Sequence, residues 1–155
     1  MMVAHVGVAV FCMGVVMVKT YEVETDVKMN VGDTTTIRGY TFQFKGVREY
    51  EGPNYTAEQG EMEITRDAST VTVLHPEKRV YRVQQNPMTE AAIHTGLTGD
   101  LYVSMGEQVE GGAWIIRVYV KPFVDWIWGG CLLMALGGAL AVSDRRYRRK
   151  QGDVA

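Results

Sequence analysis

Cysteine is scarce in this sequence, and its placement excludes a disulfide framework. The two cysteines, Cys12 and Cys131, both lie in apolar runs, so the polar middle of the chain contains none. No CxxC or CxxCH sequence occurs, which excludes the short motifs of dithiol redox chemistry and covalent haem attachment. The polar middle must therefore be held together by packing rather than by covalent links.

The polar middle also lacks the groupings of side chains on which most enzymes depend. Its histidines, His75 and His94, are isolated, with no second ligand at a metal-binding spacing, and we expect each to be solvated or locally hydrogen-bonded. No nucleophile and base pair is recognisable, which disfavours a free-standing enzyme. No nucleic-acid partner is expected either.

Charged residues are absent from the first 18 positions, and this absence predicts a membrane-spanning helix. An apolar run of this length can cross the hydrocarbon core as a helix, in which the backbone groups bond to one another. A cleaved signal peptide is the alternative. It is disfavoured because no basic residue precedes Lys19 and because residues 17–20 form a poor cleavage site.

One ionisable residue of consequence, His5, lies inside this first run. An imidazole within the bilayer is costly to leave unpaired, so it normally faces protein, water or a metal centre. Helical geometry puts His5, Ala9 and Cys12 on one face, with Gly7 and Gly14 nearly opposite. The glycine face suits the close approach of another helix. Spacing alone favours a histidine that hydrogen-bonds to a neighbouring helix, and a metal ligand is the other interpretation.

A second uncharged run, residues 126–142, contains Trp126 and Trp128 at its start, where an aromatic belt is expected, and a basic cluster follows at 145–150. The positive-inside rule places that cluster in the cytoplasm of a bacterium and the polar middle in the periplasm. We therefore divide the chain into a span, a periplasmic domain, a second span and a cytoplasmic tail, at residues 1–18, 19–122, 123–142 and 143–155.

The depth of His5 in the membrane can be estimated from its position in the first span. His5 precedes Thr20 by 15 residues, or roughly 22 Å of helix. Residues 137–139 of the second span are expected at the same depth.

The polar middle shows the two-residue alternation of strands with one wet face. Alternation occurs at residues 21–30, 40–45, 61–65, 70–73 and 114–120. Turn signals fall between these runs at residues 32–33, 52–54, 66–67 and 111–112. We expect an all-β domain, a small antiparallel β-barrel, since closure removes exposed sheet edges. Residues 88–93 are expected to form a helical turn or an irregular crossing, and residues 77–79 a solvated loop.

Several blocks of sequence, in order over almost the whole chain, resemble the C-terminal part of the CcmF family of cytochrome c maturation haem lyases. The blocks are AHVGVAV (4–10), GYTFQFKGV (39–47), GPNY (52–55), LHPEKRVY (74–81), MTEAAI (88–93), DLYVSMGE (100–107), KPFVDWIW (121–128) and ALGGALAVSDRRYR (135–148). The related NrfE family shares much of this pattern. Asp125 departs from it, since a basic or neutral residue is expected before Trp126.

The resemblance implies a role in attaching haem to apocytochrome c on the periplasmic side of the bacterial inner membrane. It implies the haem carrier CcmE and the subunits CcmH and CcmI as partners. It also implies a membrane-held haem b with one histidine ligand from each of two helices, and His5 matches the second of these ligands. At the depth of His5, supply of electrons to the transferred haem is the more natural role than thioether formation.

The tryptophan-rich WWD segment of the family, which is held to bind incoming haem, has no counterpart in this sequence. Its flanking histidines and the other membrane ligand are missing too. By itself the chain is therefore not expected to catalyse the lyase reaction, and we expect an upstream CcmF portion as a partner, whether the chain is a separately encoded subunit or a fragment. The rival function is a membrane-tethered β-domain that docks maturation partners without binding haem, through Lys78, Arg79, Met88, Thr89 and Glu90.

Overall fold

The computed structural model describes residues 2–143, which divide into two compact units. One unit contains the helices α1 (Met2–Tyr21) and α2 (Val124–Ser143), and the other is residues 22–121. Both helices are long and apolar enough to cross a membrane. Asp125 lies in the first turn of α2, where the partial positive charge of the helix N-terminus favours a carboxylate.

The two helices pack against each other in antiparallel order through glycines. A Cβ atom built on Gly14 of α1 would lie 2.8 Å from the Ile127 backbone nitrogen, near the start of α2. A Cβ atom on Gly130 would lie 2.5 Å from the Phe11 backbone nitrogen. Because Gly7 and Gly14 are buried while most of α1 is exposed, the glycine face of α1 is the face that contacts α2. The predicted packing role of this face is confirmed.

The second unit is all-β, with ten strands. They are β1 (Val23–Met29), β2 (Thr34–Ile37), β3 (Tyr40–Glu51), β4 (Tyr55–Arg66), β5 (Ser69–Leu74), β6 (Glu77–Tyr81), β7 (Pro87–Glu90), β8 (Ala92–Gly96), β9 (Gly99–Gln108) and β10 (Trp114–Pro122). The pairings within both sheets are antiparallel wherever a register is defined. The predicted turns at residues 32–33, 52–54, 66–67 and 111–112 are confirmed.

The strands form two sheets, in the orders β1-β10-β9-β8 and β2-β3-β4-β6-β7, with β5 also paired to β4. Alternate residues of both sheets meet in one core, which includes Phe42, Met62, Val103 and Ile116. The predicted antiparallel β-domain between two apolar helices is confirmed. The chain passes from one sheet to the other between β1 and β2 and again between β7 and β8, so the domain is a β-sandwich.

Two local predictions are wrong. Residues 88–93, expected as a helical turn or an irregular crossing, belong largely to β7 and β8. Residues 77–79, expected as a solvated loop, lie in β6, where Glu77 is buried. In both places the chain is held by pairing with a distant strand, since β6 is hydrogen-bonded between β4 and β7, and such pairing overrides weak local preferences.

One half of the second sheet extends past the core. A bulge at Gly46, whose φ of 146° suits glycine, follows the last core pair of β3 and β4, Phe44 and Met62. Beyond it lies a four-stranded region made of residues 47–51, 55–59, 77–81 and 87–90, which we call the distal sheet region. Its inner face continues the core-facing side of β4, and its outer face is the opposite side.

Candidate functional site

His5 lies on the face of α1 that is turned away from the glycine contacts. His5, Ala9 and Cys12 are all exposed, whereas Gly7 and Gly14 are buried. The predicted separation of the two faces is therefore confirmed. The face of α1 that includes His5 is therefore not the face that packs against α2, and a different helix or a ligand could contact it.

The level of His5 along α2 agrees with the sequence prediction. A Cβ atom built on Gly137 would overlap the backbone of Ala4, the neighbour of His5, so Gly137 and His5 lie at similar depths. Residues 137–139 of α2 are Gly, Gly and Ala, which carry no ligand atoms. Within residues 2–143, no group of three or more His, Cys, Asp or Glu side chains is arranged to hold a metal ion.

The side chains on this face are chemically compatible with a haem, which His5 would hold. A neutral imidazole nitrogen is a good axial ligand to haem iron, and an exposed His5 can present one. Ala9, one turn along the same face, is small enough to leave room for a flat macrocycle. The opposite axial ligand would have to come from a residue outside the described part of the chain.

The other two histidines do not extend this site. His75 is exposed at the break between β5 and β6, and His94 is partly buried in β8, opposite Leu101. Neither belongs to a cluster of metal-ligating side chains among the residues that the structure describes.

The residues predicted for partner docking come together in one hairpin. Strands β6 and β7 pair Lys78 with Thr89 and Arg79 with Met88, and Glu90 lies opposite Glu77. Strand alternation then divides the set, because Lys78 and Thr89 lie on the inner face of the distal sheet region and the other three on its outer face. A single flat partner surface could contact only one of these groups.

The sequence did not identify Glu77, which was expected in a solvated loop, as a functional candidate. In the structure its side chain lies at the centre of a hydrogen-bonded cluster on the outer face. Its carboxylate accepts hydrogen bonds from the Tyr50 hydroxyl at 2.9 Å, Gln59 Nε2 at 2.5 Å and Arg79 Nε at 2.7 Å. The side chain is buried, with only 8% of the residue exposed. Residues 77–79 are all charged, so they show no polar–apolar alternation, and no local signal identified β6 as a strand.

The environment of Glu77 shifts the acid–base properties of this cluster. Burial by itself raises the pKa of Glu77, but hydrogen bonds from Arg79, Gln59 and Tyr50 outweigh it and lower the pKa below its ordinary value. The pKa of Tyr50 is raised to about 12, first by its hydrogen bond with Tyr55, then by burial and by the Glu77 carboxylate. At neutral pH the cluster therefore holds an ionised Glu77 and a protonated Tyr50.

Arg79 is fixed by the same cluster. Its guanidinium lies over the Tyr55 ring, 4.6 Å from the ring centre, and its Nη1 is 3.6 Å from a Glu90 carboxylate oxygen. Tyr55 in turn packs edge-to-face on Tyr81. Arg79 thus already has partners within the chain, and a docking protein would meet a preorganised surface of tyrosine and arginine.

Comparison with known proteins identifies similar sequences over nearly the whole chain. The profile of a family described as the CcmF C-terminal beta-sandwich matches residues 20–122. The cytochrome c-type biogenesis protein CcmF of Pseudomonas aeruginosa is 53% identical over 150 residues, covering 97% of this chain. CcmF of Escherichia coli is 48% identical over 150 residues. The NrfE protein of Haemophilus influenzae is 34% identical over 151 residues.

The chain spans 23% of the length of the CcmF relatives from P. aeruginosa and E. coli, and 24% of the NrfE protein. A solved structure titled cytochrome c heme lyase CcmF superposes with a TM-score of 0.73, over 92% of this chain and 24% of that one. Their sequences are 21% identical, so this likeness bears on the fold.

Proposed function

Since the chain belongs to the CcmF family and matches its C-terminal part, we propose that it acts in c-type cytochrome biogenesis as the C-terminal part of a haem lyase. The β-domain is on the periplasmic side, α1 and α2 cross the inner membrane, and the C-terminus is cytoplasmic. A larger CcmF portion carries the haem-handling WWD segment, so this part does not catalyse bond formation alone.

His5 is the residue we assign to cofactor binding, as one axial ligand of a haem b held within the membrane. The observation that carries this assignment is the placement of His5 on the face of α1 opposite Gly7 and Gly14. Because α2 packs on the glycine face, the exposed His5 side chain lies on the other side of α1, where a further helix would supply the second histidine.

A membrane haem of this kind supplies one-electron redox chemistry when bound. The residues of this chain would have three roles at such a haem: His5 would hold the iron, the small Ala9 would leave room beside it, and the surrounding apolar side chains would exclude water. In the proposed orientation, the 15 residues from His5 to Thr20, roughly 22 Å of helix, separate the imidazole from the periplasmic surface where thioether bonds form. A role in supplying electrons to the transferred haem follows from that separation.

The assignment is tested by co-purifying the chain with the remaining CcmF portion and recording a reduced-minus-oxidised spectrum. We expect a b-type signal that is lost in His5→Gly and restored by added imidazole. Cys12→Ala, on the same exposed face, is the matched control and keeps the signal. An unchanged signal in His5→Gly would rule out ligation by this residue.

A second measurement separates electron supply from bond formation. We expect His5→Gly to lose cytochrome c maturation under ordinary conditions and to recover it when an external reductant is added. If maturation stays lost while apocytochrome thiols and carrier haem are reduced, His5 acts in the synthetic step instead.

The second candidate function is docking of maturation partners by the β-domain without haem ligation, for which the β6–β7 hairpin is the specific observation. It brings Lys78, Arg79, Met88, Thr89 and Glu90 together. We propose CcmH, CcmI, CcmE and apocytochrome c as the partners to test. Two variants distinguish the faces: Met88→Ala changes the outer face and Thr89→Ala changes the inner face. The measurement is co-purification of CcmH or CcmI with each variant. The face whose variant loses the partner, while the other variant keeps it, is the docking face.

A further inference from the structure

The inner face of the distal sheet region carries a pair of like charges directly opposite each other. Glu49 on β3 and Glu58 on β4 are register partners, and Glu51 lies two residues further along the same face. Like charges at directly opposed positions destabilise an antiparallel pair. Among residues 2–143, neither the Glu49 nor the Glu58 side chain has an ion-pair or hydrogen-bond partner.

The one cation on this face does not neutralise the pair. Lys78 is the register partner of Glu58, but its Nζ donates a hydrogen bond to the Gly106 carbonyl at 3.1 Å, away from the carboxylates. Glu51 is 3.6 Å from Arg82, in a pair whose side chains are both more than half exposed and which is therefore weak. The face retains an excess of negative charge.

Strand β9 contacts the β6–β7 side of this face, where Lys78 and Thr89 bond to its carbonyls, and the β3–β4 side that carries the carboxylates is concave. The residues that line a cavity of about 640 Å³ include Glu49, Glu51, Glu58, Thr56, Lys78 and Val80. Its floor includes the partly buried Val80, which can pack against the aliphatic stem of a long side chain.

We infer that this face binds a partner polypeptide in extended conformation that carries lysine or arginine on alternate residues. A single metal ion is disfavoured because the three carboxylates do not converge into a metal-holding group. Glu49 and Glu51 are instead spaced by about 7 Å along the strand, the same spacing that alternate side chains of an extended peptide present. The inference is independent of haem ligation by His5.

The test is fluorescence anisotropy with the full chain in detergent micelles at low salt. The probe is a labelled eight-residue peptide in which lysine and threonine alternate, and the control peptide has the same composition with its four lysines contiguous. We expect the alternating peptide to bind more tightly. The double variant Glu49→Gln/Glu58→Gln should weaken its binding by roughly threefold to tenfold, the range expected for exposed charge pairs.

The matched control variant is Asp67→Asn/Glu110→Gln, which changes the net charge equally at two turns outside the face. Equal weakening by both double variants, or equal affinity for both peptides, would overturn the inference.

Discussion

Gly7 of α1 lies against Met134 of α2, so closely that a Cβ atom on Gly7 would be 2.6 Å from the Met134 backbone nitrogen and 2.8 Å from its Cγ. Backbone atoms cannot move aside as a flexible side chain can. Any side chain larger than hydrogen at position 7 therefore separates the helices, and the approach of α1 to α2 depends on glycine.

The first prediction concerns this helix contact. Gly7→Ala should destabilise the helix pair by about 1–3 kcal/mol, because an added methyl group in a filled interface forces the backbones apart. Gly138→Ala is the control, since a Cβ atom there meets nothing within 4 Å. Thermal unfolding in micelles, followed by tryptophan fluorescence, measures both. Equal midpoints for the two variants would show that the helices do not pack as described.

A second prediction concerns the buried carboxylate of the distal sheet region. Glu77→Gln removes the charge that pairs with Arg79 and should lower the free energy of unfolding by about 1–3 kcal/mol, the range for hydrogen bonds to a charged group; Arg79 is partly exposed and keeps its contact with Glu90. Urea denaturation of the full chain gives the value. Glu63→Gln, which breaks the more exposed Lys45 pair, should leave the midpoint nearly unchanged.

The third prediction is that the free energy of unfolding decreases in acid, in part because the Glu77 carboxylate becomes protonated. The folded pKa of Glu77 is lowered from 4.5, so the unfolded chain binds the proton first as the pH falls. The stabilisation by this group is therefore present above about pH 4.5 and is lost as the pH falls through the folded pKa. Urea midpoints compared at pH 7 and in this acid window should fall less in Glu77→Gln than in the unaltered chain.

Two other carboxyl groups, those of Asp26 and Glu63, are present in both proteins of this comparison, so the difference between the proteins reports on Glu77. Their pKa values are also lowered, chiefly by hydrogen bonds from Arg117 and Lys45 respectively, and both remain in the Glu77→Gln variant. Both therefore contribute acid dependence that remains in the variant. An identical acid loss with and without the Glu77 carboxylate would contradict its ionised, hydrogen-bonded state.

The fourth prediction follows from the opposed carboxylates of the inner face. Glu49→Gln should raise the free energy of unfolding by about 0.5 kcal/mol, because it relieves repulsion from Glu58. The gain should shrink as salt is added, since exposed charges are screened. Glu110→Gln, in the turn before β10, is the control and should change the midpoint less. A loss of stability in Glu49→Gln would mean that this carboxylate has a stabilising partner.

Much of the fold could be predicted because its signals are local. The uncharged runs predicted both apolar helices, and helical periodicity alone separated the His5 face from the Gly7 face. Alternation predicted β1, β3 and β10, where one side of each strand is wet and the other contacts the core. Turn residues predicted where the longer hairpins reverse.

The pairings among β6, β7 and β8 could not be predicted in the same way. Their residues have mixed polarity, so the segments at 77–79 and 88–93 showed no clear period. Their strand conformation depends on the edge that β4 offers to β6, and on β9, which pairs with β8. Pro76 interrupts the strand between β5 and β6, although Gly60 still donates to its carbonyl.

The sequence by itself determined both apolar helices and the strands with clear alternation, because charge, periodicity and turn chemistry act over a few residues. It determined that α1 has two unlike faces and that His5 and Gly7 are on opposite ones. Only the tertiary structure decided that α2 occupies the glycine face, that Glu77 is buried beneath Tyr50 and Arg79, and that Glu49 opposes Glu58. Those relationships depend on strand register and helix contacts between residues far apart in the chain, and no local pattern encodes them.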